Sequence, residues 1–108
     1  MRRDGPARRL SIIIQENDQY RHHALYAEIV MRAQKAGLAG ATVLRGVQGF
    51  GAAQVLHAAH TIMDTAPVQV IIVDTAAKID AFAHDISPLV DNGLVVVEDL
   101  HAVRYDRR

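Results

Sequence analysis

The chain has 108 residues, half of them hydrophobic, and no cysteine. That length is one domain with one core. Without cysteine there is no disulfide, thiol catalysis or thiolate metal site, and metal ligation falls to His and carboxylate. The apolar stretches, such as residues 68–73, are far below the roughly 20 residues of a spanning helix, so no membrane insertion is expected and the protein reads as cytoplasmic.

The net charge of zero is unevenly spread. Arg2, Arg3, Arg8, Arg9, Arg107 and Arg108 sit at the ends beside only Asp4 and Asp106. Residues 10–105 hold six basic and ten acidic side chains, a net of −4. That is the wrong sign for a phosphate-backbone binder, so nucleic acid is not an expected partner. Gly5-Pro6 and the lack of apolar periodicity assign residues 1–8 to a flexible basic tail, residues 9–105 to the domain and residues 106–108 to a second tail.

Along the chain, the isoleucine-rich segment from Arg9 to Ile14 reads as a first strand and polar residues 15–21 as a connection. Leu25, Ile29, Val30, Ala33 and Ala36 recur at helical spacing until Gly37, which with Leu38 resembles a glycine C-cap. A second strand follows from Ala41 to Gln48, then three glycines within six residues, Gly46, Gly49 and Gly51, the mark of a built loop. Val55, Leu56, Ala59, Ile62 and Met63 give the segment from Ala52 to Thr65 an amphipathic helical pattern. A third strand covers Pro67 to Asp74. Thr75 then caps a helix with Ile79, Phe82, Ala83 and Ile86 on its inner face, ended by Ser87-Pro88. Gly93 turns into a last strand from Leu94 to Glu98, which continues from Leu100 to Tyr105 past an acidic interruption with the character of a bulge.

The order β-α-β-β-α-β in a short chain defines an α+β, ferredoxin-like sandwich with both helices on one face of the sheet. Strands apolar on both sides, such as residues 70–73 and 95–97, leave an open face suited to packing against another copy, so a homo-oligomer is expected.

Glu16-Asn17-Asp18, Leu25-Tyr26, the run from Gly37 to Val43, Arg45-Gly46, Gly49-Phe50-Gly51, His57, Val73-Asp74-Thr75 and Gly93-Leu94-Val95 stand in an order and spacing that resemble the PII-like proteins of domain of unknown function 190. The resemblance spans residues 9–105. It implies a ferredoxin-like fold and a trimer similar to PII signalling proteins. It also implies a second-to-third-strand connection in the place of the PII T-loop, and ligand clefts between subunits. The chain departs from the family pattern at Gln15, at His22-His23-Ala24, at Ala58 and at Thr65-Ala66, which removes a lysine and a hydroxyl as ligand groups.

Two sets of residues carry candidate chemistry. Arg45 offers a guanidinium fork for a phosphate or carboxylate where glycines bring backbone N–H groups near, with Glu16 as its ion-pair partner or a second ligand group. Glu16, Arg45, Gly46, Gly49, Phe50, Gly51 and His57 form the ligand set for a small anionic effector, a nucleotide among the options. His57, His60 and Asp64 share one helical face and make a donor set for a divalent ion such as Zn²⁺ or Mn²⁺, the alternative being a solvated polar face. An RNA-binding reading fails because Val47 and Gly49 stand where that signature needs aromatics. No histidine has a serine or acid at a spacing that identifies a nucleophile or dyad, so an enzyme is the third reading. The expectation is a non-enzymatic regulatory protein that modulates a partner, such as a membrane transport protein, through residues 50–66. The alternative is a metal-binding module similar to CutA.

Overall fold

The computed structural model describes residues 2–50 and 65–106. Four strands form one antiparallel sheet: β1 (Arg2–Gln15), β4 (Thr42–Arg45), β5 (Pro67–Asp74) and β6 (Leu94–Tyr105), in the spatial order β4-β5-β1-β6. Helices α1 (Leu25–Lys35) and α2 (Ala76–Ile86) complete the split βαβ plan of the ferredoxin-like fold, as the order of elements predicts.

Period-two alternation decides what lies beneath the helices. In the register Leu10↔Ile72, Ile12↔Val70 and Ile14↔Val68 the paired residues share a face. All six are buried against Leu25, Ile29 and Ala33 of α1 and Ile79, Phe82 and Ile86 of α2. The intervening residues Ile13, Ile71 and Val73 lie on the opposite, uncovered face. There Leu44 and Leu94, which belong to the same face by register, are 50% and 57% exposed.

The helix ends are built as the sequence predicts. Gly37, at φ 78°, closes α1 in a Schellman motif: Gly37 N–H donates to the Gln34 carbonyl and Leu38 N–H to that of Ala33. Thr75 caps α2 by accepting the Lys78 N–H.

Four expectations are corrected. The N-terminal segment is no frayed tail: β1 starts at Arg2 and pairs with β6 from Arg2↔Tyr105 onward. The last strand has no bulge, since the register runs unbroken through Arg9↔Glu98, Arg8↔Asp99 and Ala7↔Leu100. Its acidic pair is instead neutralised across the ladder, Arg9 holding Glu98 at 2.6 Å and Arg8 holding Asp99 at 2.6 Å. The second strand stops at Arg45, because in the next pair of the register Gly46 N–H donates to the Pro67 carbonyl but proline has no N–H to return. The connection after β1 contains a small hairpin, β2 (Gln19–Tyr20) and β3 (His23–Ala24), whose turn residues Arg21 and His22 both have positive φ.

Candidate functional site

One end of the sheet is the root of the β4–β5 connection. Asp18 ties down the turn after β1 by accepting the Gln15 N–H on its carboxylate and the Leu25 N–H on its carbonyl. Glu16 N–H donates to the Ala66 carbonyl, and the Thr65 hydroxyl donates to the side-chain oxygen of Asn17. Each member of the acidic Glu16-Asn17-Asp18 motif thus holds a piece of backbone or a side chain beside the loop.

Arg45 and Glu16, taken together in the sequence as a candidate pair, do meet: Arg45 Nε donates to Glu16 Oε1 at 2.9 Å. The Arg45 side chain is 64% exposed, and its two terminal nitrogens have no partner among the described residues. An Arg fork held by one nitrogen keeps donors for a second anion.

The glycines do something other than offer donors. Gly46 N–H is spent on Pro67, at 2.6 Å. A Cβ at Gly46 would sit 2.6 Å from Cγ of the Pro67 ring, and one at Gly49 would sit 3.1 Å from the same atom. At Gly46 a side chain would collide with the proline ring, whereas at Gly49 the ring would have to give by only a few tenths of an ångström. Phe50 is exposed. The hollow at this end, lined by Arg45, Gly46, Leu44, Pro67 and Gln69, encloses only about 180 Å³, under the roughly 300 Å³ at which ligand pockets begin. Gly51, His57, His60 and Asp64 lie outside the described residues, and with them the metal donor set.

Beyond Arg8 the sheet narrows to a β1–β6 ribbon, because β5 pairs with β1 only from Arg8 to Gln15. In the corner between ribbon and β5 lies a cleft of about 550 Å³. Its floor is the small residues Gly5, Ala7 and Ala102, which share the uncovered face by register. Arg3 and Arg104, direct cross-strand partners, stand at its rim. Asp106 spans them, accepting from Arg3 Nη2 at 2.6 Å and from Arg104 Nε at 2.9 Å. First Arg3 and then Arg104 hold its carboxyl below the usual aspartate range. Opposite, Asp74 closes the wall by accepting the N–H groups of Ala39 and Thr75. A second opening of about 410 Å³ continues along the same face past Ala39, Thr42 and Arg104.

Sequence reasoning missed this cleft. Residues 2–8 have no apolar period to announce a strand, and the signal that existed was their mate, the extended stretch from Leu100 to Tyr105. The cleft and Arg45 stand at opposite ends of β5, separated by roughly 23 Å at about 3.3 Å per residue.

A further polar cluster supports α1. Glu28, buried, accepts from Arg32 Nε and contacts His23 Nε2, each at 2.7 Å, and Arg32 also reaches the Tyr20 hydroxyl at 3.1 Å. Arg32 first, then His23, holds the Glu28 carboxyl below its ordinary value. Every acceptor here is used within the cluster, which fastens the hairpin to the helix.

The four-stranded sheet with two helices on one face is that of PII-like proteins. It superposes on CPII of Thiomonas intermedia K12, a nitrogen regulatory PII-like protein solved with ADP, AMP and bicarbonate, with a TM-score of 0.67 at 18% identity, covering 96% of this chain and 100% of that one. A putative PII-like signalling protein of Thermus thermophilus gives 0.62 at 12% identity, covering 92% and 91%. At such identities the likeness is one of fold. Residues 7–102 match the model of domain of unknown function 190, described as an uncharacterised ACR, and the chain belongs to that family. A UPF0166 protein of Aquifex aeolicus is 31% identical over 96 residues, covering 87% of this chain and 90% of the relative. Another, of Methanocaldococcus jannaschii, is 26% identical over 100 residues, covering 91% and 93%. Among the described residues no helix is long and apolar enough to cross a membrane.

Proposed function

We propose that the chain is a non-enzymatic PII-like regulatory protein that assembles as a homotrimer, binds a small anionic effector between copies, and modulates a partner protein through residues 50–66. One observation carries the reading: Arg45, whose terminal nitrogens have no partner among the described residues, stands at one end of the sheet, while the cleft large enough for a ligand stands at the other. A single copy cannot bring them together. A second copy can, which makes the effector site a joint property of two chains. The uncovered sheet face, with Ile13, Ile71 and Val73 on it, is apolar enough to be buried in such an assembly.

The cleft suits an adenine nucleotide. Small residues on its floor leave room for a flat ring, and Arg3 and Arg104 at its rim suit phosphate. Fold neighbours solved with ADP and AMP support the same class. Effector binding would act on the connection through its root at Glu16, Asn17 and Gly46, and so change the surface a partner meets.

Titration calorimetry with ADP tests this. Binding to the wild type is expected, and Arg45→Ala should weaken it by about 1.5–3 kcal/mol, the range for a hydrogen bond to a charged group. Arg104→Ala should do the same. Absence of binding by ADP, AMP and other nucleotides would refute the effector assignment, and a monomer at micromolar concentration would refute the shared site.

A further inference from the structure

The chain has two asparagines, Asn17 and Asn92, and their surroundings differ. Asn17 is held at both places that matter to its amide chemistry. Its side-chain oxygen accepts the Thr65 hydroxyl at 2.9 Å, and the backbone N–H that follows it, that of Asp18, donates to the Gln15 carbonyl at 3.1 Å. Asn92 is held at neither. It is exposed, its side chain has no hydrogen-bond partner among the described residues, and glycine follows it. The Gly93 N–H is unbonded among those residues too, because the β1–β6 ladder reaches only as far as Ile13↔Leu94.

Packing holds position 93 to glycine. A Cβ there would lie 2.6 Å from Val90 Cγ1, 2.9 Å from Ile14 Cγ2 and 3.1 Å from the Ile13 carbonyl oxygen. Without a side chain, the Gly93 nitrogen is open to close approach. Asn92 itself sits at φ 60°, a left-handed conformation that costs free energy in any residue but glycine. Local opening of the turn relieves that cost and breaks no hydrogen bond at the Gly93 N–H.

We propose that Asn92 is a site of spontaneous deamidation, at which the folded chain modifies itself. The Gly93 backbone nitrogen gives its proton to solvent and attacks Asn92 Cγ. The N–Cγ bond forms, the Cγ–Nδ2 bond breaks and ammonia leaves, which closes a cyclic imide. Water then opens the ring at one carbonyl or the other. Cleavage of the new Cγ–N bond leaves aspartate, whereas cleavage of the original peptide C–N bond leaves isoaspartate, with the chain running through the side chain. One water enters, one ammonia leaves, and nothing is oxidised or reduced. Isoaspartate lengthens the main chain by one carbon immediately before β6, and the tight contacts around Gly93 leave no room to absorb it. The strain therefore falls on the Ile13↔Leu94 pair, at the end of β1 that leads into Glu16 and the loop root.

Peptide mapping by mass spectrometry of the full chain, aged folded in mildly alkaline buffer, tests the site. Asn92 should gain one mass unit at least tenfold faster than Asn17, as a mixture of isoaspartyl and aspartyl products, with ammonia released in step. Ageing in denaturant separates the fold from the local sequence: unfolding should accelerate Asn17, which loses its two hydrogen bonds, more than it accelerates Asn92. Asn92→Gly suits the positive φ and carries no amide, so it should release no ammonia from this turn. Asn92→Asp adds the charge without the extra carbon and should leave amide exchange at Leu94 and Val95 as in the fresh chain, whereas the isoaspartyl fraction should raise it. An Asn92 that lasts as long as Asn17 in the folded chain, or that is accelerated more than Asn17 by denaturant, overturns the site. Isoaspartyl chains with unchanged exchange at Leu94 and Val95 overturn the effect on β6.

Discussion

The two ends of the sheet hold their charges in opposite ways. At the loop root Arg45 leans on Glu16 by one nitrogen, beside a hollow of about 180 Å³ closed by glycines packed on Pro67. At the ribbon Arg3 and Arg104 share Asp106 over a cleft of about 550 Å³ floored by small residues. One end is tightly built around its backbone and has a cation to spare; the other has room. The lesson is that glycines mark space for different purposes: Gly46 gives way to a proline, whereas Gly5 helps leave a cleft open.

The largest effect expected tests whether the ends are one folding unit. Ile12 is fully buried midway between them, and Ile12→Ala should cost about 2–5 kcal/mol in denaturant unfolding. Hydrogen exchange should then rise at both ends together; a rise at one end alone would make them separate units. Next comes the contrast in packing. Gly46→Ala, with its Cβ 2.6 Å from Pro67 Cγ and 3.2 Å from the Pro67 carbonyl oxygen, should destabilise by about 1–3 kcal/mol. Gly40→Ala, with nothing within 4 Å of its Cβ, should stay within about 0.5 kcal/mol of wild type. Equal effects in thermal melts would erase the distinction.

Acid should loosen the ribbon locally. The folded-state value of Asp106 is depressed by Arg3 and Arg104, so its stabilising contribution is complete above the ordinary value of 3.8 and is lost as pH falls through the folded one. Amide exchange at Gly5 and Ala102 should therefore rise below about pH 4 before that at Val70, and Asp106→Asn should abolish the pH dependence of the difference. The smallest effect belongs to the loop root. Both members of the Arg45–Glu16 pair are substantially exposed, and Glu16→Gln should change stability by no more than about 1 kcal/mol.

Much of the fold was legible because it is local. Isoleucines at 12, 13 and 14, the helical spacing of Leu25, Ile29 and Ala33, the Gly37 cap and the Thr75 cap each declare themselves within a few residues. The Arg45–Glu16 pairing was legible as well, since both residues stand at the same end of two strands, β4 and β1, that the fold places on either side of β5. What stayed hidden was non-local. Arg2 to Ala7 become a strand only by pairing with residues at the other end of the chain, as in Arg3↔Arg104, and no local propensity of an Arg-Asp-Gly-Pro segment reports that. The acidic interruption at Glu98-Asp99 reads as a break for the same reason, because its partners Arg8 and Arg9 lie far outside any local window. The cleft stayed hidden with them, being walled by the two segments involved.

The central claim, that the effector site joins the loop root of one copy to the ribbon cleft of another, has a direct test. Arg45→Ala and Arg104→Ala chains, each impaired alone, are unfolded together, refolded as mixed oligomers and titrated with the nucleotide that binds the wild type. A shared site predicts that some junctions in the mixture pair an intact loop root with an intact cleft, restoring a fraction of sites with wild-type affinity. Mixed oligomers in which no site regains that affinity would place both arginines in the same copy's site and contradict the account.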